Sequence, residues 1–237
     1  TDPDLAALST HASWSSLLSA AEDNLAKQSA RLRAPLEIPD PALAPSFANL
    51  DSLRAHYQQE VRAILGPAGL FPSTVGLLHL GRVAGREISA LERFKTEHPE
   101  PALQYNADLS ALHAVTWLSR MGSPWVVGRD LAIQVAGRIL QTYPDSSGAG
   151  EAALWAAKAD VAGLHDATGA ITPDAAAQAA ARLLGVADAR RGTPWEGAAL
   201  AEAIWYQSEA KSHDLESVRP LVERLMADGT RPLYLMC

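Results

Sequence analysis

The stretch Thr172-Pro-Asp-Ala-Ala-Ala-Gln-Ala-Ala-Ala-Arg-Leu-Leu-Gly-Val-Ala-Asp-Ala-Arg-Arg-Gly-Thr-Pro-Trp-Glu-Gly-Ala-Ala-Leu200 decides the fold. Twice in it a threonine and a proline precede an apolar, alanine-rich run. The hydroxyl of Thr172 or Thr193 is placed to accept a hydrogen bond from an unsatisfied N–H of the first helical turn. Proline at the first helical position loses nothing, because its missing N–H has no partner there. Glu196, three residues after Thr193, adds the reciprocal half of a capping box. Ser123-Pro124 repeats the signal earlier in the chain. The pattern predicts short helices joined by tight turns. Ser123-Pro124 and Thr172-Pro173 are each expected to open the second helix of a pair, and Thr193-Pro194 the first helix of the next.

Composition points the same way. The chain of 237 residues holds 45 alanines, with 48% hydrophobic and 20% charged residues. Strong helix formers dominate, while β-branched residues and phenylalanine are sparse, so the expected class is all-α with a sizeable core. The formal net charge of −7 argues against a general nucleic-acid surface, which needs a clustered basic stripe. Only Arg31-Leu-Arg33 and Arg190-Arg191 form short basic clusters, the second at a helix end, where cations suit the dipole. The single cysteine, Cys237, is the last residue, which excludes an intrachain disulfide and a multi-cysteine metal site. No apolar run reaches the length of a membrane span. The chain opens on Thr1, as a mature exported protein freed of its signal segment does, or one from which a tag was removed. The expected compartment is the cytoplasm or the exported space.

Three regions follow from the pattern: N-terminal helices over 1–33, a proline-rich strap over 34–46 and a helical-hairpin domain over 47–237. In the last, Leu50, Leu53, Tyr57, Val61 and Ile64 predict a helix stopped at Gly66-Pro67. Others are expected from Ser73 to before Pro99, from about Asn106 to Gly122, and from Ser123 to Tyr143. Further helices are expected over Gly150 to Thr168, Pro173 to about Arg190, Pro194 to Lys211, and Asp214 to near Gly229. The apolar tail from Arg231 to Cys237 is expected to dock as an extended segment. Helices opening near Pro101, Ser147 and Thr193 recur at roughly 45 residues, each with a partner helix, the spacing range of helical-hairpin arrays. The segment Tyr143-Pro144-Asp145-Ser146, continuing through Glu151, Ala152, Ala153, Leu154 and Trp155, resembles the turn-plus-helix opening of tetratricopeptide-like repeats. The resemblance covers about one hairpin, residues 143–168. It implies antiparallel helical hairpins stacked as a short solenoid or a compact multi-helix bundle, and it implies no activity.

No phosphate-binding loop, dinucleotide fingerprint, His-Glu-x-x-His or Gly-x-Ser-x-Gly occurs. His165-Asp166 resembles the His-Asp pair of all-α metal-dependent phosphohydrolases, whose sites need further histidines and an aspartate from other helices; His79, His113 and Asp214 are what the sequence offers. His56/Glu60 and Glu209/His213, one helical turn apart, read as surface ion pairs. The best site candidate lies on two successive helices. His79, Arg82 and Arg86 share one flank of the first, and His113, Trp117 and Arg120 fall similarly on the second. If those helices pair antiparallel, a cationic and aromatic strip lines a groove suited to an anion or a carboxylate-bearing peptide.

Six tryptophans stand against three phenylalanines. Trp125 and Trp195, each behind a Ser/Thr-Pro start, are candidates for binding, and Trp117, Trp155 and Trp205 for filling gaps among small residues. Gly76, Gly81 and Gly85 in one helix suggest close approach of a neighbouring backbone. The expected function is a non-enzymatic interaction module, a scaffold or adaptor presenting a groove to a peptide or protein partner, with no cofactor, nucleic acid or membrane span. The alternatives are a metal-dependent hydrolase built on His165 and Asp166 and a small-molecule pocket within the bundle.

Overall fold

Tight turns decide which helices pair. The computed structural model describes residues 41–65, 74–120, 128–166, 168–211 and 214–227. A 3-10 turn, Pro41–Leu43, leads into α1 (Ala44–Leu65), followed by α2 (Thr74–Glu97), α3 (Pro101–Arg120) and α4 (Arg129–Thr142). Then come α5 (Ala149–Ala162), α6 (Pro173–Ala189), α7 (Pro194–Ala210) and α8 (Leu215–Ala227). The described residues form an all-α, multi-helix bundle without strands. No helix among them is long and apolar enough to cross a membrane.

The expected starts at Thr172 and Thr193 both open helices, by different means. Thr172 Oγ1 accepts the Ala175 N–H at 3.3 Å with Pro173 in the first turn. Thr193 makes no such cap; its hydroxyl donates to the Arg190 carbonyl at 2.7 Å. Glu196 reaches past Thr193 to accept the Gly192 N–H at 2.7 Å, so the capping box expected at Thr193 does not form. Gly192 has φ +73°, a backbone that glycine alone adopts without strain. The positive φ turns its N–H into reach of Glu196.

The pairing frame is shifted by one helix from the one expected. The most extensive contacts join α6 to α7, α4 to α5 and α2 to α3. Thr172-Pro173 therefore opens the first helix of its pair and Thr193-Pro194 the second. Connector length contributes: residues 98–100, 143–148 and 190–193 are short turns that fold each helix back on the one before, and 211–214 is equally short, so α8 also packs on α7. Residues 163–172 form a longer loop, and α5 touches α6 far less. The antiparallel sense of α4 and α5 shows in Arg129 at the start of α4, whose Nε donates to the Ala159 carbonyl near the end of α5 at 2.6 Å. This bond also satisfies one of the carbonyls left open at a helix C-terminus.

Four boundaries differ from expectation. α1 begins at Ala44, inside the expected strap, because Pro45 is tolerated in a first turn. α3 begins at Pro101 rather than near Asn106, whose amide bonds back to the Ala102 carbonyl at 2.7 Å without breaking the helix. α4 begins at Arg129. α5 stops at Ala162, not Thr168, because Asp166 closes a loop there. Residues 1–40, Ser123-Pro124, Trp125, His213 and the tail 231–237 lie outside the described residues, with the expectations made for them.

Two buried clusters share α5. Ala152, Trp155 and Ala159 face the first, with Leu50, Leu91, Leu103, Leu112 and Ile139. Leu154 and Val161 face the second, with Leu183, Leu200 and Leu225. A helix buried on two sides must be apolar nearly all round, and Ala-Ala-Leu-Trp-Ala-Ala over 152–157 meets that need. The two cores are thereby one body. The α6–α7 seam explains the alanines: Ala176, Ala179, Ala180 and Ala187 meet Ala198, Ala199 and Ala203, all buried. Small side chains let the two helix backbones approach closely.

Candidate functional site

A groove of about 930 Å³ opens between α1 and α2. Its walls carry Tyr57, Glu60 and Ile64 from α1, and His79, Arg82, Arg86 and Arg93 from α2. Beneath it, Val61 and Ile64 pack on buried Leu80 and Ala84 in a small satellite cluster. Three guanidinium groups thus face a single carboxylate, in a chain whose formal net charge is −7.

Glu60 is already spoken for on both oxygens. His56 Nε2 lies 3.0 Å from Oε1, and Arg86 Nη2 pairs with Oε2. The expected His56/Glu60 pair is therefore present, and it becomes a three-membered chain ending on Arg86. Arg82 and Arg93 are exposed and make no ion pair among the described residues. Ser89 lies between Arg86 and Arg93 on the groove wall, and its hydroxyl donates to the Gly85 carbonyl at 2.9 Å.

Of the residues picked from sequence, His79, Arg82 and Arg86 come together here. His113 does not join them. Its Nε2 lies 3.0 Å from Glu151 on α5, so it ties α3 to α5 away from the groove. The side chains of Trp117 and Arg120 lie outside the described residues. Trp195 is half-buried against α5, where a methyl group added to Gly150 would overlap its indole ring. The groove also forms one helix earlier than expected, between α1 and α2 instead of α2 and α3. The α2–α3 interface is instead filled by buried Leu91, Phe94, Leu103 and Ala107.

Sequence reasoning missed Arg93, and it placed Tyr57 in an apolar stripe and Glu60 in a surface pair, not in the groove. Arg93 lies seven residues after Arg86, which returns it to the same helix face, and that spacing was the available signal. Gly85 lines the groove, and a Cβ added to it meets nothing within 4 Å, so it marks open space and not the expected close approach. Trp155 fills the core as expected at 1% exposure, but Trp205 is 49% exposed, resting edge-on against the Tyr206 ring.

His165 and Asp166 serve the loop after α5. His165 Nδ1 lies 3.0 Å from the Gly169 carbonyl and Nε2 lies 3.1 Å from the Tyr206 hydroxyl. Burial, helped by Glu202, pushes the Tyr206 hydroxyl up to about 12; the Gly169 carbonyl can only accept, so Nδ1 carries the hydrogen. The imidazole is then assigned as Nδ1–H with Nε2 accepting, leaving neither nitrogen open. Asp166 Oδ1 accepts from the Thr168 hydroxyl, the Thr168 N–H and the Ala170 N–H. Those bonds, the hydroxyl's first, hold its carboxyl below the usual carboxylate range. Among the described residues no three His, Cys, Asp or Glu side chains converge as a metal site.

No protein-family model matches the chain, and neither a curated protein sequence nor a solved structure does.

Proposed function

We propose that the protein is a helical interaction module that presents the α1–α2 groove to a peptide or protein partner. The supporting observation is the pair of exposed guanidinium groups, Arg82 and Arg93, which make no ion pair among the described residues and stand on the wall of a groove large enough for a ligand. Arg86 stands between them, oriented by its pair with Glu60. The volume falls in the range of ligand sites, about 300–1,000 Å³. The groove's apolar floor with polar groups on its walls is the usual make-up of such a site. The repeated use of antiparallel pairs between neighbours in sequence favours the same reading, since such stacks present extended surfaces.

The groove can be filled without touching its charge. Gly85→Trp puts a large ring into open space on the groove wall, and the helix tolerates it because nothing lies within 4 Å of its Cβ. Peptides selected from a random library against the full chain are expected to bind it and to lose at least about tenfold in Kd on the Gly85→Trp chain. Fluorescence anisotropy reads this directly. Selected peptides that bind both chains equally would remove the groove as the site.

A further inference from the structure

The cations of the groove are strung out along one helix instead of converging. Arg82, Arg86, Ser89 and Arg93 follow i, i+4, i+7 and i+11, a single face of α2. At 1.5 Å rise per residue the outer two positions are about 16 Å apart. A compact anion such as phosphate is held by donors aimed at one point, which a row of this length does not supply. Leu78, one turn before Arg82, extends the row with an apolar side chain that is 55% exposed. Read along α2, the surface therefore alternates apolar, cationic, cationic, hydroxyl and cationic groups.

Charge narrows the class of ligand. A nucleic acid carries its phosphates well past 16 Å, onto a protein whose formal net charge is −7, where it is repelled. A short segment with a few carboxylates ends where the arginines end. Guanidinium forks match carboxylates two bonds at a time. Arg86 is held in place by Glu60, while Arg82 and Arg93 are exposed and make no ion pair among the described residues, which leaves them placed to meet an incoming carboxylate.

We propose that the α1–α2 groove takes an acidic, amphipathic segment of a partner protein. Its carboxylates are spaced along a helix to meet Arg82, Arg86 and Arg93, and its apolar side chains rest on Leu78 and the groove floor. This rests on the reading of the groove as a binding site and specifies the partner's chemistry. Bound this way, the segment lies along α2 as a helix lies in a groove, with anchors recurring every one or two turns.

Two peptides of about fifteen residues, long enough to span the row as a helix, test it. One carries Glu at i, i+4 and i+11 among leucines and alanines, and the other carries Gln at those places. Both are titrated into the full chain by fluorescence anisotropy. The Glu peptide is expected to bind at least about tenfold tighter than the Gln peptide, and to weaken as salt is raised. Arg82→Glu/Arg93→Glu is expected to lose about tenfold or more in affinity while its thermal melt follows that of the parent chain. Arg82→Gln/Arg93→Gln, which adds no repulsion, is expected to lose less. Equal binding of the two peptides, or Glu-peptide binding that survives charge reversal, overturns the acidic class. Gly85→Trp separates the two levels: Gln-peptide binding blocked by it leaves the groove as a site for other chemistry, and binding indifferent to it removes the groove as well. Self-association of the chain that disappears on charge reversal would assign the groove to a second copy and overturn the partner segment.

Discussion

Arg224 of α8 holds Glu196 of α7 by two nitrogens, Nε 2.9 Å and Nη2 2.6 Å from Oε1. Its third nitrogen, Nη1, lies 2.8 Å from Asp188 at the end of α6. One guanidinium thus closes α8 over the α6–α7 pair, and the other Glu196 oxygen braces the turn at Gly192. Burial works against the Glu196 charge, but the Gly192 N–H and Arg224 outweigh it and hold the carboxyl below its ordinary value.

Removing Arg224 should therefore cost more than a surface ion pair does. Arg224→Ala leaves Glu196, 5% exposed, with a charge and one backbone partner. A loss of about 2–3 kcal/mol in urea unfolding is expected, between the values for exposed and buried pairs. A change under about 0.5 kcal/mol would place Arg224 among ordinary surface arginines.

Glu87 of α2 gives the opposite pH response. Burial raises its carboxyl from 4.5 to about 7, with Arg54 of α1 opposing part of the rise. Between those values the folded chain binds the proton that the unfolded chain has released, so stability falls as pH rises from 4.5 to about 7 and stays reduced above it. Glu87→Gln keeps the shape and removes the titration. It should stabilise the protein at pH 8 by about 1–2 kcal/mol after allowance for solvent screening, and by almost nothing at pH 4. Denaturant titrations at the two pH values check this, and an equal effect at both would remove the titration as the cause.

Glycines divide by what surrounds them. Gly85, Gly137 and Gly185 sit within helices, and an added Cβ at each meets nothing within 4 Å. Alanine at any of the three should stabilise by about 0.5–1 kcal/mol, the entropy that glycine forfeits. Gly150→Ala should destabilise by at least about 1 kcal/mol, because its methyl group collides with the Trp195 ring. Thermal melts of the four variants should separate in sign.

How much was legible follows from range. Helix class and most ends were readable because caps, prolines and periodicity are local: Thr172 caps α6 as its sequence implies. Pairing was not, since Thr193-Pro194 reads the same whether α7 opens a hairpin or closes one; the connectors on both sides of α7 are four residues long, and the α6–α7 alanine seam decides it. The groove was half legible. His79, Arg82 and Arg86 stand on one flank in any α2, but Tyr57 and Glu60 join them only once α1 packs there. His113 showed the limit, because its partner Glu151 lies 38 residues away and nothing local points to it.

Asp108 marks the most demanding ionic site. It is 2% exposed on α3 and takes Lys95 of α2 at 2.8 Å and Arg138 of α4 at 2.7 Å, so one carboxylate ties three helices. Glu92 shares Arg138 at 2.8 Å, closer to solvent. Asp108→Asn keeps the volume and deletes the charge, leaving Lys95, only 12% exposed, without its inner counter-ion. The expected cost is about 3 kcal/mol, since breaking one side of a buried pair strands the other. The exposed pair Arg219–Glu216 on α8 is the control, and Arg219→Ala should stay within about 0.5 kcal/mol. High salt sharpens the contrast, because screening reaches exposed charges and barely reaches buried ones. The Asp108→Asn deficit should persist when salt is raised, while any Arg219 effect vanishes. If Asp108→Asn costs no more than Arg219→Ala, the three helices are held by their apolar seam alone and the carboxylate adds only register.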